Sequence, residues 1–170
     1  MANNKTKKEN LNYFQKKIKE YNNNVDKKTM EYQKKYNFKY NVKNREIAFW
    51  NNEGDAFKHT YMQADLTFKF GGSVATVPGY VHEIQNLWDG NPKNETNMDL
   101  WNNKVGRQIG LDVARQMRKK YNVGEKKNWQ EIDDEIAKRI MEKMRSGELI
   151  TNPNDARHKR YELPQVVRAL

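Results

Sequence analysis

Met98, Trp101, Val105, Ile109, Val113 and Met117 recur three or four residues apart in a stretch that is otherwise mostly polar. Only a helix brings such positions onto one side, because about 3.6 residues complete a turn. A strand would scatter them over both faces. A second stripe, Trp129, Ile132, Ile136, Ile140 and Met144, repeats the pattern, and a third, Leu11, Phe14, Ile18, Tyr21 and Val25, opens the chain. A helix with one apolar stripe must bury it against a neighbour. The expected fold is therefore all-α, a single compact domain of about five helices with a polar site between the central ones. The 170 residues suffice for one such domain and are short for two.

Punctuation between the stripes sets the element boundaries. Residues 1–8 read as a disordered start and 9–45 as a basic helical extension of a core domain over 46–170. Asn22-Asn23-Asn24 weakens the first stripe, and Phe38 and Tyr40 alternate like an extended segment. Asn51-Asn52-Glu53-Gly54 is turn chemistry. Asp55 then serves as N-cap or first-turn acid of a helix to about Phe70, stopped by Gly71-Gly72. A further helix, capped by Ser73 or Thr76, carries Val81, Ile84 and Leu87 or Trp88 and breaks at Asp89-Gly90-Asn91-Pro92. Asn97 is expected to cap the Met98 helix, which ends near Tyr121, and Asn128 to begin the last, stopped at Gly147. Residues 148–151 suit a short extended segment; the tail beyond carries no clear signal.

The net charge of +10 and a pI near 9.6 point to an anionic partner: nucleic acid, phospholipid or a cell-wall polymer. An AT-rich coding bias toward Lys and Asn is the bland alternative, since the charge is spread along the chain. With no cysteine, disulfides, thiolate metal sites and a Cys nucleophile are excluded. No stretch approaches the roughly 18 apolar residues of a membrane span. Met1 to Lys8 has a basic start but no apolar segment after it, so a Sec signal peptide is not expected. Export by a specialised system is the expectation if the protein leaves its cell.

Chemistry concentrates between residues 50 and 107. Asp55 and His59 are four apart, on one helix face, and an aspartate beside an imidazole fixes its tautomer for work as a base or metal ligand. Gln63 continues that face. His82-Glu83 adds a second imidazole and a carboxylate, and Asp99 and Asn103 form another four-residue pair. Gly106, costly inside a helix by about 1 kcal/mol, suggests close approach of a backbone or ligand. Arg107 supplies a fork for carboxylate or phosphate. Each signal has a plain structural alternative: Asp55 as a cap, His59 as a satisfied core histidine, Asn102-Asn103 as general asparagine richness. No zinc signature such as H-E-x-x-H is present.

Gly54-Asp55-Ala56-Phe57-Lys58-His59, His82-Glu83 and Met98-Asp99-Leu100-Trp101-Asn102-Asn103-Lys104-Val105-Gly106-Arg107 resemble a bacterial domain family of unassigned function found in secreted and toxin-like proteins. The pattern is G-D-A-x-R-H, then H-E, then M-D-x-x-N-N-x-x-G-R, and it covers residues 50–112. Lys58 stands where arginine is more usual. The resemblance implies a site at Asp55, His59, His82, Glu83, Asp99, Asn102 and Asn103 and an effector-like role, in which an acidic immunity protein would be a partner.

The expected function is hydrolysis of an anionic bacterial substrate, foremost phosphodiester cleavage in nucleic acid or phospholipid. His59, Asp55, Glu83 and His82 are the catalytic candidates. Lys58, Asn102 and Arg107 would hold the substrate. Glu83, Asp99 and Asn103 would hold a divalent cation through oxygen, which favours Ca²⁺ or Mg²⁺ over Zn²⁺. Peptidoglycan cleavage with Glu83 as acid is the enzymatic alternative. A non-enzymatic basic helical module that binds nucleic acid or a partner protein is the other.

Overall fold

A computed structural model describes residues 2–41, 48–76, 92–121 and 125–157. Four long helices occur among them: α1 (Ala2–Tyr36), α2 (Glu53–Phe70), α3 (Lys93–Lys120) and α4 (Trp129–Arg145). Residues 72–76 are helical as well, and no described residue is in a strand. The all-α reading holds. The rest of the expected helix beyond 76, with His82 and Glu83, lies outside the described residues.

Local chemistry explains most of the boundaries. No glycine or proline occurs in Ala2–Tyr36, so α1 already runs through the residues read as a disordered start, and it carries Asn22, Asn23 and Asn24 as exposed helical positions. It ends at Asn37, whose φ of 56° is left-handed and suits asparagine. At the start of α2, Asn52 caps the helix by accepting from the Asp55 N–H at 3.1 Å, and Asp55 accepts from the Asn51 N–H at 2.7 Å. Asp55 is thus a first-turn acid and Asn52 the cap. Gly71 (φ 89°) and Gly147 (φ 74°) stop α2 and α4, and Asn128 caps α4, as its spacing predicts. α3 begins at Lys93, a turn before Asn97. Pro92 supplies the entry without any side-chain cap, so the cap signal at Asn97 misplaces the start.

One core unites these helices. Val25 and Tyr32 of α1 and the following Phe38 pack with Ala56, Phe57, Tyr61 and Ala64, with Ile109, Val113 and Met117, and with Ile132, Ile136 and Ile140. The segment read as a basic extension therefore supplies core from Val25 onward. Phe57 stacks on Phe38 with centroids 4.8 Å apart and on Tyr61 at 6.0 Å, pairs that add about 0.5–1.5 kcal/mol each beyond burial. Trp129 differs from its expected place in the α4 stripe. As the helix's first residue it is 52% exposed, meeting Phe68 edge-on at 6.3 Å.

Among the described helices, the tightest approach is between α2 and α3. A Cβ placed on Gly106 would fall under 3.0 Å from the Thr60 carbonyl oxygen, and one on Gly110 equally near that of Ala64. The glycine at 106 answers to another backbone, one of the two explanations its cost suggests. Leu149 and Ile150 are buried as well, and the Asn102 carboxamide pairs with Ile150 like a strand neighbour. Its Nδ2 donates to the Ile150 carbonyl at 2.8 Å and its Oδ1 accepts from the Ile150 N–H at 3.0 Å. Trp101, half-buried, donates from Nε1 to the Glu148 carbonyl at 2.8 Å.

Candidate functional site

Because α2 and α3 touch through glycine, their polar rows face each other. The α2 row is Asp55, His59 and Gln63; the α3 row is Glu95, Asp99, Asn103 and Arg107. Four-residue spacing keeps each row in register along its helix. The rows meet at both ends. His59 Nε2 lies 3.6 Å from Asp55 Oδ1 and 3.6 Å from Asp99 Oδ1, and the three side chains are only 11–13% exposed. At the other end Arg107 Nη1 donates to Gln63 Oε1 at 3.3 Å.

Burial sets the electrostatics of this centre. Asp55 is pushed above the usual aspartate range by desolvation, against the opposing pull of His59 and the Asn51 N–H. Asp99 is pushed well above it, first by desolvation and then by the neighbouring charges of Asp55 and Glu95. Lys58 is the cation closest in sequence, but its Nζ is 2.8 Å from Asp26 of α1. At the rim Trp50, 54% exposed, donates from Nε1 to Glu95 Oε2 at 3.2 Å.

Of the residues singled out from sequence, Asp55, His59 and Asp99 come together. Asn103 is fully buried one turn past Asp99, and Asn102 is occupied with the Ile150 backbone. Arg107 ends the α3 row, paired with Gln63, while Lys58 stands beside the α2 row and pairs with Asp26. His82 and Glu83 are outside the described residues. Sequence reasoning missed Glu95 and Trp50. Glu95 sits four residues before Asp99, and extending the α3 row backward would have found it; the late helix start hid that spacing.

What the centre can do chemically follows from its donors: one imidazole nitrogen and one oxygen from each of two aspartates, all within 4.8 Å of one another. It can accept a proton, donate one, or hold a cation. Residues 14–148 match a family model described as a domain of unknown function (DUF6973). No solved structure matches the chain.

Proposed function

The chain belongs to the DUF6973 domain family, and with its polar centre as the starting point we propose that it is an effector- or toxin-like hydrolase. Its reaction would be cleavage of phosphodiester bonds in an anionic bacterial substrate, nucleic acid or phospholipid. The observation that supports this reading is the placement of His59 Nε2 at 3.6 Å from both Asp55 and Asp99. In hydrolysis a water oxygen bonds to phosphorus while the ester P–O bond breaks. The water gives up a proton at the centre, and the leaving oxygen gains one from solvent. Two carboxylates balance the positive charge that arises beside Nε2, whether it is a proton taken from water or a cation that holds the water. The net charge of +10 draws the polyanion in.

Peptidoglycan cleavage with Glu83 as acid ranks second, since the net charge of +10 fits a phosphodiester polyanion best. A non-enzymatic binding module ranks third. It would leave three ionisable side chains buried together without a task, at a cost in stability. In a toxin role, export and an acidic immunity protein complete the proposal.

His59→Ala is the test. The variant should keep its helical circular dichroism and lose about 100-fold or more in cleavage of RNA or phospholipid, or in growth inhibition, the scale of an acid–base group. Normal melting with full activity would remove His59 from the chemistry and end this reading.

A further inference from the structure

We infer that Asp55, His59 and Asp99 bind one transition-metal dication of the Zn²⁺ class through an imidazole nitrogen and two carboxylate oxygens. This deepens the hydrolase reading, since it concerns the same three residues. The metal site nonetheless stands or falls by its own measurement.

The distances carry the argument. At 3.6 Å, His59 Nε2 is too far from either Oδ1 for a hydrogen bond, yet all three donor atoms lie within 4.8 Å of one another. A cation bonded tetrahedrally at about 2.1 Å sets neighbouring ligand atoms about 3.4 Å apart, close to that spacing. Asp99 Oδ1 is buried and accepts no hydrogen bond from the described residues. A buried acceptor in that state is unfavourable unless something positive reaches it. The nearby Lys58 ammonium is 2.8 Å from Asp26 instead. The donors also stand on rigid ground: Asp55 and His59 are on α2 and Asp99 on α3, and the two helices press together at Gly106 and Gly110.

Donor identity decides the metal class. Ca²⁺ and Mg²⁺ take six or more oxygen ligands, and an all-oxygen set of Glu83, Asp99 and Asn103 would suit them. The set assembled by the fold has an imidazole in it, which favours Zn²⁺ and its neighbours. Three protein ligands leave a further position for water or substrate, the arrangement of catalytic zinc sites. A cation there lowers the pKa of the water it holds.

The experiment titrates metal-free full-length protein with Zn²⁺, Co²⁺, Ca²⁺ and Mg²⁺, read by calorimetry, thermal melting and Co²⁺ visible absorption. One Zn²⁺ or Co²⁺ should bind per chain and raise Tm, with intense Co²⁺ bands, while Ca²⁺ and Mg²⁺ at equal concentration should not. Removing a residue that merely orients a ligand weakens a metal site about 10–100-fold, so His59→Gln and Asp99→Asn, each lacking a ligand, should weaken Zn²⁺ at least about 100-fold. Absence of stoichiometric binding overturns the inference, as does undiminished binding in both variants, or equal binding of Ca²⁺. If Asp99→Asn does not fold, His59→Gln and Asp55→Asn carry the test. Zn²⁺ binding without phosphodiester cleavage keeps the site and removes the substrate. Cleavage by protein that binds no metal does the reverse.

Discussion

Asp99 shows how a single side chain opposes stability. Its carboxyl is held well above the usual value of 3.8 by burial and by the charges of Asp55 and Glu95. A raised folded-state pKa means that the native protein holds this proton more tightly than the unfolded chain. The resulting stabilisation is complete below the unfolded value and is lost as pH rises through the raised folded value. At neutral pH, without metal, Asp99 therefore works against folding. Asp99→Asn should raise Tm in the presence of a chelator at pH 7 by about 2–4 °C, the effect of ~1 kcal/mol in a chain of this size. The gain should vanish near pH 3.5, below the ordinary aspartate pKa of about 3.9. Melting curves of both proteins across that range check it, and an unchanged or lower Tm at pH 7 would mean the carboxylate is already compensated. Asn102 predicts the opposite pattern. Asn102→Ala strands the Ile150 N–H and carbonyl, at about 1–3 kcal/mol for a buried group left unpaired. Tm should fall while activity per folded molecule stays constant. A loss of activity with an unchanged Tm would return Asn102 to substrate binding.

At the scale of the helix, Gly106 ties packing to the centre. Alanine is intrinsically better than glycine in a helix by about 1 kcal/mol, so an isolated α3 would gain from Gly106→Ala. In the fold the new methyl would meet the Thr60 carbonyl and Gln63 Cβ under 3.0 Å. Overpacking of this kind costs about 1–3 kcal/mol, and the remedy is for α3 to move off α2. That motion carries Asp99 away from His59. Gly106→Ala should therefore lower both Tm and activity, whereas Lys104→Ala, at an exposed position of the same helix, should change neither. Circular dichroism melts with an activity assay on both variants separate these outcomes. The same element shows what is legible in a sequence. Asp55 with His59 can be read because their proximity is local, set by four-residue spacing, and the ends of α2 and α4 can be read because caps and glycine stops are side-chain chemistry. The approach of Asp99 is a tertiary fact. Its one local trace is the expensive glycine two turns further along. Glu95 was hidden because α3 starts at a proline, with no capping side chain to mark it.

Over the whole molecule, α1 has two duties divided near Tyr21. From there on it is structural: Tyr21 donates to Asp65 at 2.8 Å, Val25 and Tyr32 are buried, and Lys28 is 3.0 Å from Asp133 of α4. A chain beginning at residue 45 would lack all of this packing together with Phe38, and it should not fold. Before Tyr21 the positions differ. Ile18 is 60% exposed and Lys16, Lys17 and Lys19 are exposed, so none of these four side chains closes the core. Residues 1–19 also hold Lys5, Lys7 and Lys8 against a single acid, Glu9. Removing this segment should leave Tm nearly unchanged and spare the hydrolysis of a small soluble phosphodiester, because the centre lies on α2 and α3. Binding to a polyanion should behave otherwise. The slope of log affinity against log salt shrinks by about 0.7–0.9 for every phosphate that the protein no longer neutralises. Affinity for RNA or anionic vesicles should therefore fall at low salt, and the truncated and full-length proteins should converge as salt rises. Equal slopes for the two would show that these lysines face no polyanion and that their abundance reflects coding composition alone.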